Sequence, residues 1–146
     1  MKFNNETLRA AVEEWLDDES KAEKKYGHIS DWDTSEVTDM STMFSAAKSF
    51  NQPLEKWDVS NVTNMSYMFR GATSFNQPLE KWDVSQVTEM EEMFLKATSF
   101  NQPLEKWDVS KVTNMYGMFR FTTSFNQPLE KWDGKLFEAI FKLHFC

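Results

Sequence analysis

A single cysteine, Cys146, closes the 146-residue sequence, so no disulfide can form within the chain. The fold must hold without oxidation, and the terminal thiol is read as idle. Residues Met1 to Glu6 contain no apolar core of signal-peptide length. No run approaches the roughly 18 apolar residues of a membrane span. The chain as written is therefore expected to carry neither an export signal nor a direct membrane span, and its compartment stays open.

Positive charge is also short. Lys and Arg number 16 against 23 Asp and Glu, for a net charge of -7. Nucleic acid needs a basic stripe, and an anionic membrane needs a basic patch, so the balance argues against both: no nucleic-acid partner is expected. The acidic excess serves solubility. The two histidines, His28 and His144, lie in opposite end regions. There is no Cys–His pair, no phosphate loop and no zinc-ligand spacing. The reading is of a non-enzyme with no cofactor, no metal and no catalytic residue.

The chain does have aromatic residues at a fixed spacing. Trp32, Trp57, Trp82, Trp107 and Trp132 recur every 25 residues, each followed by aspartate. Residues 57–81 and 82–106 agree at 19 of 25 positions, which rules out chance similarity. A constant period means a constant structural unit. Each unit alone has too little apolar surface to offset its ordering entropy, about 1.5 kcal/mol per residue. Stacking in register buries the two flat faces, so a solenoid of four repeats is expected over residues 31–133. Like residues should then form columns: the tryptophans, Phe44/Phe69/Phe94/Phe119, Phe50/Phe75/Phe100/Phe125, and the asparagines Asn51/Asn76/Asn101/Asn126. The aromatic columns read as core, the asparagines as satisfying backbone groups of the neighbouring unit. Glu55/Glu80/Glu105/Glu130 beside Lys56/Lys81/Lys106/Lys131 read as a solvated edge. The aspartates after tryptophan read as turn acceptors rather than calcium ligands.

Two periods run inside a unit. Val62, Met65, Met68, Phe69 and Ala72 follow three-and-four spacing and predict a short helix after an N-cap at Ser60. Trp82 and Val84 alternate and predict a short strand. Fold class is therefore α/β: a short strand plus a short helical turn per 25-residue unit, the strands forming a parallel sheet. Residues 1–30 predict a capping helix from near Asn4 or Asn5, with Phe3, Leu8, Ala11, Val12, Trp15 and Leu16 on its apolar face. Residues 134–146 break the repeat and predict a C-terminal capping or docking helix carrying Phe137 and Phe141.

The W-D-V-S-x-V-T-x-M-x-x-M-F and A-T-S-F-N-Q-P-L segments, over roughly residues 32–133, resemble the BspA-type, leucine-rich-repeat-like family of bacterial and mycoplasma surface proteins. The resemblance implies a right-handed leucine-rich-repeat-like solenoid, a role in adhesion or protein contact, and no catalytic residues. Variation between repeats clusters at Tyr67, Arg70, Tyr116, Arg120 and Phe121, residue types that anchor interfaces. With Phe137 and Phe141 they form the candidate partner-binding set. The functional reading is a non-enzymatic, adhesion- or scaffold-type interaction module with a protein partner. A structural subunit of a larger assembly, docking through its ends, is the alternative. A carbohydrate- or ice-binding surface comes third and requires exposed aromatic rows.

Overall fold

The computed structural model describes residues 1–132. The first helix, α1, spans Asn5–Asp17 and begins at an Asn4 cap. The Asn4 side chain accepts from the Thr7 N–H at 2.8 Å, and the Thr7 hydroxyl accepts from the Asn4 N–H at 2.8 Å. This reciprocal pair satisfies donors that the first turn leaves free. Asp18 ends α1 in an extended conformation and caps α2, Glu19–Tyr26, accepting from the Lys21 N–H. Gly27, at φ 81°, ends α2 in a conformation open chiefly to glycine. Leu8, Ala11, Val12 and Trp15 face inward. Leu16, expected among them, is 43% exposed because it lies just past the inward stripe.

The helices cover the first repeat unit. Phe3 donates its N–H to the Asp33 carbonyl at 3.0 Å, and its ring lies 5.0 Å from that of Trp32. Trp15 meets Trp32 edge-on at 5.9 Å. Arg9 donates to the Ser41 carbonyl at 2.8 Å, and Asn5 Oδ1 accepts from the Thr38 N–H at 2.9 Å. Backbone groups that a flat end would leave unpaired are thus satisfied by side chains of α1.

From Trp32 onward the 25-residue units lie against one another in register. The segment Met65–Ala72 shows how. The N–H groups of Met65, Tyr67, Phe69 and Gly71 donate across to the carbonyls of Glu89, Glu91, Met93 and Leu95, at 2.7–2.9 Å. Those of Met68, Arg70 and Ala72 donate back to Met65, Tyr67 and Phe69, closing tight turns at 3.0–3.2 Å. Alternate residues serve alternate purposes: one bonds the next unit, the next closes a turn. The pattern requires the backbone to reverse, and it does so at φ 62° for Tyr67 and 72° for Gly71. Equivalent residues in other units follow: Thr42, Ala46, Glu92, Lys96, Gly117 and Phe121 all have φ between 49° and 62°.

Tight turns also put every third or fourth side chain on one side. Val62, Met65, Met68, Phe69 and Ala72 are all fully buried. The rings stack from unit to unit: Phe44, Phe69, Phe94 and Phe119 are separated by 5.5–5.8 Å with planes within 6°. Phe50, Phe75, Phe100 and Phe125 follow at 6.0–6.1 Å. Each buried ring removes well over 100 Å² from water, worth roughly 2–3 kcal/mol. The Trp57, Trp82, Trp107 and Trp132 indoles donate to the carbonyls of Ile29, Leu54, Leu79 and Leu104, each 28 residues earlier. Asn51, Asn76 and Asn101 accept from the N–H of the next asparagine at 2.9–3.0 Å.

The expected α/β, leucine-rich-repeat-like solenoid does not form. Among the described residues there is no strand, only single parallel bridges such as Asp39 to Asn64 and Asn64 to Glu89. Helix among the described residues is confined to α1, α2 and two 3₁₀ turns, Ile29–Asp31 and Glu130–Trp132. The left-handed residues at each turn forbid the predicted helix over Val62–Ala72. Ser60 caps no helix; its N–H is held by Asp58 Oδ1 at 3.0 Å. The alternation of Trp82 and Val84 reflects two adjoining turns, closed by Trp82 N–H to Leu79 and Val87 N–H to Val84. The predicted C-terminal helix, with Phe137 and Phe141, lies outside the described residues.

Candidate functional site

The reversed backbone decides which side chains leave the core. In unit 57–81, Met65, Met68, Phe69 and Ala72 are buried, whereas Tyr67 is half-buried and Arg70 exposed. The same positions three units along the stack direction form one strip. Tyr67 and Gly71 are tied by their N–H groups to unit 82–106, whose Glu92 and Lys96 are tied in turn to the carbonyls of Tyr116 and Arg120 at 2.9 Å. The sequence-chosen residues Tyr67, Arg70, Tyr116, Arg120 and Phe121 therefore lie on one continuous ridge, with Glu91, Glu92 and Lys96 between them. Phe137 and Phe141 are outside the described residues.

The ridge has two unlike ends. At one, the Arg70 guanidinium lies 6.0 Å from the Tyr67 ring centre, and its Nε pairs with Glu92 Oε1 at 3.3 Å. The Tyr67 hydroxyl bonds the Glu91 carboxylate, and this bond, with burial and the acidic neighbours, raises its pKa above the ordinary tyrosine value. At the other end, Arg120 and Lys96 flank the Phe121 ring, at 5.1 Å and 5.9 Å from its centre. Arg120 Nε is buried and has no hydrogen-bond partner among the described residues. Tyr116 and Phe121 are 37% and 36% exposed. Rigid, amphipathic rings beside arginine are the composition of interface hot spots.

Glu91, Glu92 and Lys96 stand in the same variable columns of the sequence and were passed over only because they are not interface-anchor types. Their signal was weak but present: Gly71 and Gly117 occupy the two columns with positive φ, and mark the reversals that lift these columns out of the core. No group of three or more His, Cys, Asp or Glu among the described residues is arranged to hold a metal ion. No helix among them is long and apolar enough to cross a membrane. Trp57 and Trp82 are 2% and 4% exposed, which removes the aromatic row a carbohydrate or ice surface would need. The adhesion- or scaffold-type repeat module was expected on a leucine-rich-repeat-like fold, and the absence of strands among the described residues takes that basis away; the end-docking structural subunit leaned on the phenylalanine-rich tail from Leu136, which lies outside the described residues, and has no support in the described fold either.

The comparisons also correct the BspA-type resemblance. No curated protein and no solved structure matches the chain. A family model does match, over residues 12–132, which takes in α2 and every described repeat unit. On that match the chain belongs to the family described as "Mycoplasma protein of unknown function, DUF285".

Proposed function

We propose that the protein is a binding protein without catalytic activity, and that it holds a polypeptide partner on the ridge from Tyr67 to Phe121. One observation carries the reading. The exposed large apolar residues among those described are Met1, Leu16, Tyr116 and Phe121. Two of these four share the ridge with Arg70 and Arg120, while the other rings are spent on the core. Exposed rings backed by arginine give contact area at little entropic cost.

The ridge also has a rigid base. Tyr67 and Phe121 both sit in left-handed backbone, which costs on the order of 1 kcal/mol each. Inter-unit hydrogen bonds fix the backbone at Tyr67, so its ring is presented in one geometry. The test is selection of display-library peptides on the immobilised full chain. Selected peptides should lose binding to the Tyr67→Ala, Tyr116→Ala, Phe121→Ala triple variant, with tryptophan fluorescence showing that the core is intact. Equal binding to both chains would refute this face.

A further inference from the structure

We propose that the open first rung of the asparagine ladder binds an asparagine residue of a polypeptide, a contact that shares no residue with the ridge. The ladder itself defines the geometry. The N–H groups of Asn76, Asn101 and Asn126 donate to the Oδ1 atoms of Asn51, Asn76 and Asn101 at 2.9–3.0 Å. The Nε2 groups of Gln77, Gln102 and Gln127 donate to the same oxygens at 3.0–3.1 Å. Each also reaches the main-chain carbonyl of that asparagine, at 3.2–3.4 Å. An asparagine residue is thus held by a main-chain N–H and a glutamine amide of the next unit.

Asn51 and Gln52 carry the same two donors, but the position 25 residues earlier is Tyr26. Tyr26 packs against Phe3 and Trp32 and donates its hydroxyl to Glu14 instead. The first helix satisfies Thr38 and Ser41 but does not supply this rung. The Asn51 N–H and Gln52 Nε2 therefore have no hydrogen-bond partner among the described residues. Both residues line a cleft of about 150 Å³ with Leu16, Glu19 and Phe50. That is room for more than one water molecule, which takes up roughly 30 Å³. Asn51 and Leu16 are exposed and Gln52 is half-buried, so the cleft is open to a partner. Two converging donors suit a carboxamide oxygen, which accepts two hydrogen bonds. Fixing one of them in the backbone of the first unit lowers the ordering cost of binding. Glu19 selects the amide over the acid, because an aspartate would bring a like charge into the cleft. Leu16 offers an apolar contact to the residue beside the asparagine.

The test is an NMR titration of the isotope-labelled full chain with a blocked leucyl-asparagine peptide and its leucyl-aspartate, leucyl-glutamine and leucyl-alanine counterparts. In the free chain the Asn51 amide should exchange with solvent faster than those of Asn76 and Asn101. The asparagine peptide should slow that exchange and shift the Asn51 resonance, and the other three should bind at least several-fold more weakly. Gln52→Glu should weaken binding about tenfold and Leu16→Ala by a few-fold. Gln52 makes no hydrogen bond among the described residues, so Gln52→Glu should keep the parent thermal midpoint, which separates lost binding from lost folding. Lys111→Gln, in the last described unit, should bind as the parent does. Equal binding of the alanine peptide, tighter binding of the aspartate peptide, or unchanged binding to Gln52→Glu would overturn the inference. So would an Asn51 amide as protected in the free chain as that of Asn76.

Discussion

Gly71 shows how much a single residue's backbone determines. Its φ is 72°, shared in the same column by Ala46, Lys96 and Phe121 at 59–61°. A Cβ added at Gly71 would come no closer than 3.7 Å to Ala46, so space is not the obstacle. The cost of Gly71→Ala is conformational, about 1 kcal/mol for placing an L side chain in the left-handed region. In a helix the same change would stabilise by about 1 kcal/mol. The sign of the shift in a urea unfolding curve therefore separates the two structures: destabilisation is expected, and stabilisation would mean the segment is helical. Burial pattern alone could not reveal this. Val62, Met65, Met68, Phe69 and Ala72 have the spacing of a helix face, and consecutive tight turns produce the same spacing. The period, the aromatic columns and the asparagine ladder were legible because they depend only on register. The local conformation was not, because its donors are shared with the next unit, where residue-by-residue reading does not look. Glu92 and Lys96 were visible in the variable columns, but residue type alone singled out Arg70 and Tyr116 and not their charged neighbours.

At the scale of the element, the tryptophan-aspartate step is the hinge of each unit. The indole N–H reaches back to a carbonyl 28 residues earlier, and the aspartate that follows receives the N–H of the serine two residues on: Asp33 from Ser35, Asp83 from Ser85, Asp108 from Ser110, each at 3.0 Å. The serine side-chain hydrogen bond, and then the backbone one, hold these three carboxyls below the ordinary aspartate pKa. Because the folded value is the lower one, the contribution is complete above the unfolded aspartate value, about pH 4, and is lost as pH falls through the folded values. Thermal midpoints followed by tryptophan fluorescence should vary little on this account between neutrality and about pH 5, then drop below about pH 4. A midpoint that rises on acidification would contradict these turns. The aspartates read from sequence as turn acceptors have that role here, and the adjoining alternation of Trp82 with Val84 comes from the turn rather than from a strand.

On the scale of the whole molecule, no unit has a core of its own. Phe69 lies between Phe44 and Phe94, Trp82 bonds the Leu54 carbonyl, and Asn76 is bonded on both sides. Stability is therefore collective, with α1 closing one end through Trp15, Arg9 and Asn5. The same collective bonding fixes the ridge, since its members come from three units and hold their spacing only while the units stay in register. Through-hydrogen-bond scalar couplings between amide nitrogens and carbonyl carbons measure that arrangement directly. Couplings are predicted from the Phe69 nitrogen to the Met93 carbonyl and from the Tyr67 nitrogen to the Glu91 carbonyl. A coupling from Phe69 to Met65, as a helix would give, would contradict the account.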